Sequence, residues 1–298
     1  MQIIDLETGA PQDKVAPLSI ALGTFDGIHI GHMALIKECR SCPKETQSAV
    51  FTFRQNPFGV PYIYSLEEKL NLLKELGVKY ACLCDFDKIK DMDPATFENE
   101  ILFGKLNAKK IVCGYDFHYG AEAKGNITTL KEACEKHDVA FEVIDKVMLN
   151  KETVSSSLIR GLLCEGNIAK ANKLLGRAYS LTAEVTHGNE LGSKNGYPTI
   201  NQPIEDKRCK LRRGVYASRV LGHNAMSDIG YKPTIGSNRL LCETNIFDFD
   251  CNLYGKTIKT ELIDFVRDET EFESIEKLFE RLSVDKQICT EKLKKYEK

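Results

Sequence analysis

The spacing of apolar positions divides the chain into two stretches of different grammar. Up to about residue 176, short apolar runs alternate with amphipathic segments. The runs SIAL, SAVFTF, YACLCDF, KKIVCG and AFEVI have the length of buried strands. Between them, MALIKECR, LEEKLNLLKELG, PATFENEILFGKL and ITTLKEACEKH repeat their apolar positions at helical spacing. Ser65 with Glu68 forms a capping box, and Pro94 suits a first helical turn. This alternation predicts a parallel sheet covered by helices on both faces, with ligands at the carboxyl ends of its strands.

After Leu175 the pattern changes to β-type segments: SLTAEVTHG, GVYASRVL, AMSDIGYKPTIG, RLLCETNIFDFD and TIKTELIDFV. Gly, Asn and Asp turns separate them, which predicts an antiparallel barrel or sandwich. Ser274 to Lys295 returns to helical period. No Pro- or Ser-rich linker intervenes, so the boundary is placed at the end of the helical pair SSLIRGLLCEGN and IAKANKLLG, giving domains 1–176 and 177–298.

Composition narrows the partners. A length of 298 residues suits two domains, each able to bury a core. With 41 Lys and Arg against 43 Asp and Glu, no global basic footprint favours nucleic acid, while small phosphorylated ligands stay open. The opening MQIIDLETGAPQDKVAP lacks the apolar core of a signal peptide, and no later run is long enough to span a bilayer. Eleven scattered cysteines, an odd number, fit free thiols in a reducing cytoplasm. Cys39 and Cys42 form a CxxC with no second pair at zinc spacing, and read as thiols on a helix end.

Candidate chemistry concentrates first in GTFDGIHIGH, Gly23 to His32, at a strand-to-helix turn. His29 and His32, with Asp26 as a third group, are too few for a dedicated zinc centre. Glycines such as Gly23 and Gly31 let backbone approach a polyphosphate, the next helix offers unpaired N–H groups, and histidines donate to oxygens that gain charge. A plain turn remains the alternative. The second piece is VSSSLIRGLL, in which Ser155, Ser156 and Ser157 open a helix and Arg160 follows one turn on, placed for a fork to phosphate. Together the two pieces read as a paired clamp.

These residues also carry a resemblance. GTFDGIHIGH resembles the HxGH signature of the nucleotidyltransferase superfamily and VSSSLIR its ISSTxxR signature, while GYDFHYG (114–120) resembles the GxDFxFG loop of bacterial FAD synthetases. Downstream, GYPTIN is similar to the GFPTAN motif of riboflavin kinases, and GVYAS, DIGYKPT, ETNIFDF, LYGK and VRDETEF follow in the expected order. The ordered set resembles bifunctional bacterial riboflavin kinase/FAD synthetases over nearly the whole chain.

The resemblance implies a Rossmann-like α/β nucleotidyltransferase domain, then an antiparallel β-barrel kinase domain with a C-terminal helix. It implies ATP-dependent phosphorylation of riboflavin to FMN, and adenylylation of FMN to FAD with release of pyrophosphate. In the first half His29 and His32 would contact the triphosphate, with His32 at the reacting centre and Gly23, Phe25, Asp26 and Gly31 shaping the ATP site. Ser156, Ser157 and Arg160 would hold the leaving phosphates, and Asp116 would order its loop or contact adenosine. In the second half Thr199 and Asn201 would hold Mg2+, and Glu243 would act as general base. Gly188, Gly192, Lys194, Gly196 and Pro198 would line the ATP loop. Arg267, Glu269 and Phe272 would close over the flavin, with Phe272 alternatively a core anchor. The chain departs from the family at Asn56, where TFRQNP replaces TFxPHP, and at Leu158, which stands for a common arginine. Asn donates an amide hydrogen bond but carries no charge. Two alternatives follow: a kinase with an impaired transferase-like half, or a flavin or nucleotide sensor without turnover. The expected partners are riboflavin, FMN and ATP, with no nucleic acid and no membrane, in a cytoplasmic monomer or weak homo-oligomer.

Overall fold

The computed structural model describes residues 1–7, 16–42, 45–187, 197–234 and 237–296, the side chains of 232–238 excepted. The chain divides into two compact units, Met1–Ser156 and Ser157–Lys298.

The first unit holds β1 (Gln2–Asp5), β2 (Leu18–Leu22), α1 (Ile30–Arg40), β3 (Gln47–Phe53), α2 (Leu66–Glu75), β4 (Tyr80–Cys84), β5 (Ala108–Gly114), α3 (Ile127–Lys136) and β6 (Ala140–Ile144). They form a six-stranded sheet in the order β1-β4-β3-β2-β5-β6, parallel throughout. The chain winds outward from β2 through β3 to β4, then crosses to β5 on the other side. The β2/β5 border is therefore the switch point where such sheets bind ligands. Both faces are buried, because alternate residues of one strand enter different clusters. Ile20, Leu22 and Ile111 face one core, whereas Ala21 and Val112 join Phe25, Ile28, Val50 and Leu73 in the other.

Three details differ from the sequence pattern. Gln2–Asp5 adds an edge strand, too short to show alternation. The strand in YACLCDF stops at Cys84, and Phe86 opens a short helix, Phe86–Ile89. The segment read as one helix from Pro94 is a single turn, Pro94–Thr96, followed by a π-helix at Phe97–Lys105, whose end carries the i to i−5 bond from Leu106 N–H to the Ile101 carbonyl.

The second unit contains α4, which runs from Ser156 to Glu165 across the division, α5 (Ile168–Leu175), β7 (Tyr179–Glu184), β8 (Ile200–Pro203), β9 (Gly214–Val220), β10 (His223–Thr234), β11 (Ser237–Ile246), β12 (Thr257–Arg267) and α6 (Ile275–Lys294). The antiparallel sheet runs β7-β12-β9-β10-β11-β8, and a bridge between Thr186 and Asn201 brings its two edges together into a nearly closed barrel. Val185, Val220, Ala225, Ile246 and Ile258 pack together in one cluster. Val215, Ala217, Met226 and Ile263 form another, covered by Cys289 and Leu293 of α6. Gln202 crosses the barrel wall: its amide donates to the Ala183 and Ile258 carbonyls at 3.1 and 2.6 Å and accepts from Thr260 Oγ1 at 2.6 Å. The compact division falls after Ser156 rather than after Gly176 because α5 is docked on the barrel. Asn172 Nδ2 donates to the Leu262 carbonyl at 2.9 Å, and its Oδ1 accepts from Tyr179 N–H at 2.7 Å.

Candidate active sites

In the first unit, GTFDGIHIGH leaves the carboxyl end of β2 at the switch point and delivers the chain to α1. The turn is bent by an unusual backbone: Phe25, Gly27 and Ile28 have φ of 50°, 81° and 42°. Left-handed conformations at bulky residues are costly, and they persist here because Phe25 and Ile28 are fully buried apolar anchors. Gly27 has φ +81°, which disfavours any side chain, and a Cβ there would also stand 2.8 Å from Ile63 Cδ1. Asp26, 4% exposed, accepts from Ile63 N–H at 2.8 Å, and its carbonyl accepts from Ser156 Oγ at 2.8 Å. Asp26 is thus a brace joining the turn to the segment before α2 and to the first residue of α4.

The two histidines occupy the N-terminus of α1. His29 is its N-cap, with Nδ1 accepting from His32 N–H at 3.3 Å, and the rings stack at 3.7 Å between centroids, 16° apart. A Cβ at Gly31 would come within 3.1 Å of the His29 ring, so the glycine makes room for this stack. Both rings therefore lie at the positive end of a helix dipole, where anionic oxygens are favoured. Among the described residues, no group of three His, Cys, Asp or Glu side chains is spaced for a metal.

The remaining predicted residues of this half lie on neighbouring segments. Asn56 follows β3, and its buried Nδ2 has no hydrogen-bond acceptor among the described residues. Asp116 is exposed on the loop after β5, where its backbone carbonyl contacts His118 Nδ1 at 2.9 Å. On α4, Arg160 Nη2 donates to Ser157 Oγ at 3.1 Å. Cys39 packs inward, its thiol donating to the Ser19 and Ala49 carbonyls, and burial raises its pKa.

Sequence reasoning missed Lys69. It lies on α2, is 5% exposed, and its Nζ donates to Phe53 O, Thr52 Oγ1 and Thr24 O at 2.8, 3.2 and 3.4 Å. Burial pushes its pKa down to about 8, against a smaller upward pull from Asp26. A lysine on the apolar stripe of LEEKLNLLKELG was the available signal.

In the second unit the strand register assembles the site. Asn201 pairs with Glu243, Glu243 with Asp228, Asp228 with Val215, and Val215 with Arg267. Directly opposed residues project to one face, so Asn201, Glu243 and Asp228 form a cross-strand row. Asn201 is 3% exposed, and its Oδ1 accepts no hydrogen bond among the described residues. Its backbone carbonyl receives Thr186 N–H at 2.8 Å, and Asn245 Nδ2 donates to the Pro198 carbonyl at 2.8 Å, so both ends of PTIN are pinned. Asn245 thereby ties β11 to the segment before β8. Gly188, Gly192, Lys194 and Gly196 lie outside the described residues.

The segment after β12 is fixed by a second missed residue, Asp285. It is fully buried on α6 and accepts from Arg267 Nε and Nη2 at 2.9 and 2.7 Å and from Arg281 Nε at 3.0 Å. Arg267 also donates to the Asp268 carbonyl, and its guanidinium lies 5.8 Å from the Phe272 ring. Glu269 pairs with Arg213 at 3.5 Å, and its carboxylate fills the space a Cβ at Gly230 would take.

Two histidines at a helix N-terminus on the switch point of a parallel sheet, and a buried amide oxygen with no hydrogen bond among the described residues beside a carboxylate on a barrel, are arrangements suited to a transferase that handles phosphate groups. A family model described as FAD synthetase matches residues 12–158, and one described as riboflavin kinase matches residues 175–293. A bifunctional riboflavin kinase/FMN adenylyltransferase of Bacillus subtilis is 32% identical over 294 residues, covering 93% of this chain and 92% of that protein. The Escherichia coli K12 protein of the same description is 29% identical, covering 95% and 94%. A crystal structure described as a macrolide-efflux protein from Streptococcus pneumoniae matches with a TM-score of 0.84 at 28% identity, covering 97% of this chain and 99% of that one. The chain belongs to the bifunctional riboflavin kinase/FMN adenylyltransferase family. No helix among the described residues is long and apolar enough to cross a membrane.

Proposed function

We infer that this chain phosphorylates riboflavin to FMN with ATP and adenylylates FMN to FAD, releasing pyrophosphate. The observation that carries the reading is the register of β8 on β11, which sets Asn201 opposite Glu243. A hard-cation ligand and a general base are needed side by side in transfer to an alcohol. The buried Asn201 Oδ1, which accepts no hydrogen bond among the described residues, fits a magnesium ion, with Thr199 as the second ligand. Bound there, Mg2+ would neutralise charge on the ATP phosphates. Glu243 takes the proton of the ribityl 5′-hydroxyl as its oxygen attacks the γ-phosphorus, whose bond to the bridging oxygen breaks to release ADP. Pro198, with Gly188, Gly192, Lys194 and Gly196, contributes the loop over the phosphates. Arg267, held by Asp285, orders the segment carrying Glu269 and Phe272 toward the flavin.

In the other half an FMN phosphate oxygen attacks the α-phosphorus of ATP and pyrophosphate leaves. His32 and His29 donate to the phosphates at the head of α1. Gly23 and Gly31 give the backbone its approach, and Phe25 and Asp26 hold the turn's shape. Ser156, Ser157 and Arg160 take the departing phosphates, Asp116 orders the loop toward the nucleotide, and Asn56 supplies an amide donor. We place the functional boundary at 176/177 and the protein in the cytoplasm, as a monomer or weak homo-oligomer with no nucleic-acid partner.

The test is a time course of protein with riboflavin, ATP and magnesium, separating the three flavins by chromatography. FMN that rises and then falls as FAD appears is the expected result. Asn56 and Leu158, which depart from the resembled motifs, favour a second reading, a kinase with an impaired first half. FMN accumulating without FAD, even when FMN and fresh ATP are supplied, selects it.

A further inference from the structure

Lys69 is not used by the chemistry above, yet it is the most deeply placed ammonium near the nucleotide turn. Its three acceptors tie α2 to two strand ends at once: Thr24 begins the turn after β2, while Thr52 and Phe53 close β3. Thr52 Oγ1 itself donates to the Thr24 carbonyl at 2.7 Å, so the lysine and the threonine converge on one backbone oxygen of the turn. That oxygen lies one residue before Phe25, where the left-handed backbone starts. A protonated amine offers three N–H bonds, which matches the three acceptors.

We propose that Lys69 is a positioning residue of the adenylyltransferase site, and that its protonation holds the Gly23–His32 turn in the form that presents His29 and His32 to ATP. This rests on the adenylyltransferase reading of the first unit. The neutral amine loses one N–H and its charge, which weakens the hold on Thr24 and relaxes the strained turn. The titratable and charged groups on the packed elements are Asp26, His29 and His32 on the turn and its helix, Arg54 after β3, and Glu68 on α2. Arg54 is paired with Asp5 and lies 3.7 Å from Asp85, and Glu68 accepts from Ser65 N–H in the capping box. Asp26 is the charge that acts on Lys69, and with Lys69 pushed down to about 8 the switch falls just above neutrality. FAD formation then declines through mildly alkaline pH while riboflavin phosphorylation by the same chain lacks that limb.

The experiment uses the full chain and follows FAD formation from FMN and FMN formation from riboflavin between pH 6.5 and 9.5, in wild type, Lys69→Met and Lys69→Arg. Lys69→Met is expected to lose about 100-fold in kcat for FAD formation, the scale of a misplaced reacting group, with riboflavin phosphorylation retained. Lys69→Arg, which keeps its charge at all these pH values, restores FAD formation and removes the alkaline limb. A limb at unchanged pH in Lys69→Arg, or near-wild-type FAD formation by Lys69→Met, overturns the proposal. A second readout needs no turnover: the ring-proton resonances of His29 and His32 are expected to show an inflection near pH 8 that Lys69→Met abolishes. Its absence overturns the proposal even if FAD is made. A chain that makes no FAD at any pH but shows the inflection overturns the adenylyltransferase reading alone.

Discussion

Lys69 in the first unit and Asp285 in the second are both buried charges on amphipathic helices, and the two are accommodated in different ways. Lys69 on α2 faces two backbone carbonyls and a hydroxyl, whereas Asp285 on α6 faces two guanidinium groups. Dipoles solvate a charge without cancelling it, so the ammonium remains poorly stabilised and its proton comes off at about pH 8. Counter-ions cancel the charge and make each partner depend on the other. The first arrangement gives a group that can change state, and the second gives a fixed rivet.

The largest expected effect breaks the rivet. Asp285→Asn leaves Arg267, 15% exposed in its side chain, without its carboxylate, while Arg281 at 39% can turn to water. Removing one partner of a buried pair costs about 3–5 kcal/mol, and the partial exposure of both arginines places this case near 3. Chemical denaturation should show that loss, accompanied by a fall in riboflavin phosphorylation with FAD formation from supplied FMN retained. A loss below about 1 kcal/mol would mean that the arginines solvate themselves and that α6 is held by its apolar contacts alone.

The next effect tests the titratable charge through stability. Lys69 has its pKa lowered from the ordinary 10.5 to about 8. Between these values the unfolded chain holds a proton that the folded chain does not, so folding stability rises with pH, at most about 1.4 kcal/mol per pH unit. Below pH 8 the term is flat. The denaturation free energy of wild type minus that of Lys69→Met, which cancels other titrations, should therefore grow from pH 8 to pH 9.5. Activity moves the opposite way, a combination that a purely structural contact does not produce.

A somewhat smaller effect concerns the backbone that the lysine holds. Gly27→Ala places a Cβ at φ +81° and 2.8 Å from Ile63 Cδ1. The strain costs about 1–3 kcal/mol if the turn keeps its form. Equilibrium denaturation measures the cost, and FAD formation should fall far more than riboflavin phosphorylation.

How much of this was legible follows from what periodicity can carry. Parallel strands buried on both faces gave continuous apolar runs, and the barrel strands gave alternation broken by turns, so both architectures could be read in advance. Gln2–Asp5 and Ile200–Pro203 are too short to show a period and were visible only through pairing. The turn at Gly23–His32 was legible from its glycines and histidines, and Asn201 and Glu243 from their motifs. Their juxtaposition required strand register. Lys69 and Asp285 belong to no motif and were not singled out, because their partners, Thr24, Thr52 and Phe53 for one and Arg267 for the other, lie elsewhere in sequence.

The smallest expected effect is the sharpest test of the contrast. At pH 7 Lys69→Met removes a buried charge together with three hydrogen bonds, replacing an ammonium by a thioether of similar length. The lost bond to the Phe53 carbonyl weighs against relief of the desolvation penalty, while Thr52 Oγ1 still donates to the Thr24 carbonyl. These terms nearly cancel, so stability should change by less than about 1 kcal/mol in denaturation at pH 7. Asp285→Asn has no such compensation, since it leaves the largely buried Arg267 without its counter-charge. Activity and stability should then separate in the first unit and move together in the second. If Lys69→Met instead loses stability on the scale of Asp285→Asn, the lysine is a second rivet, and the ability of the first unit to change state must reside in another group.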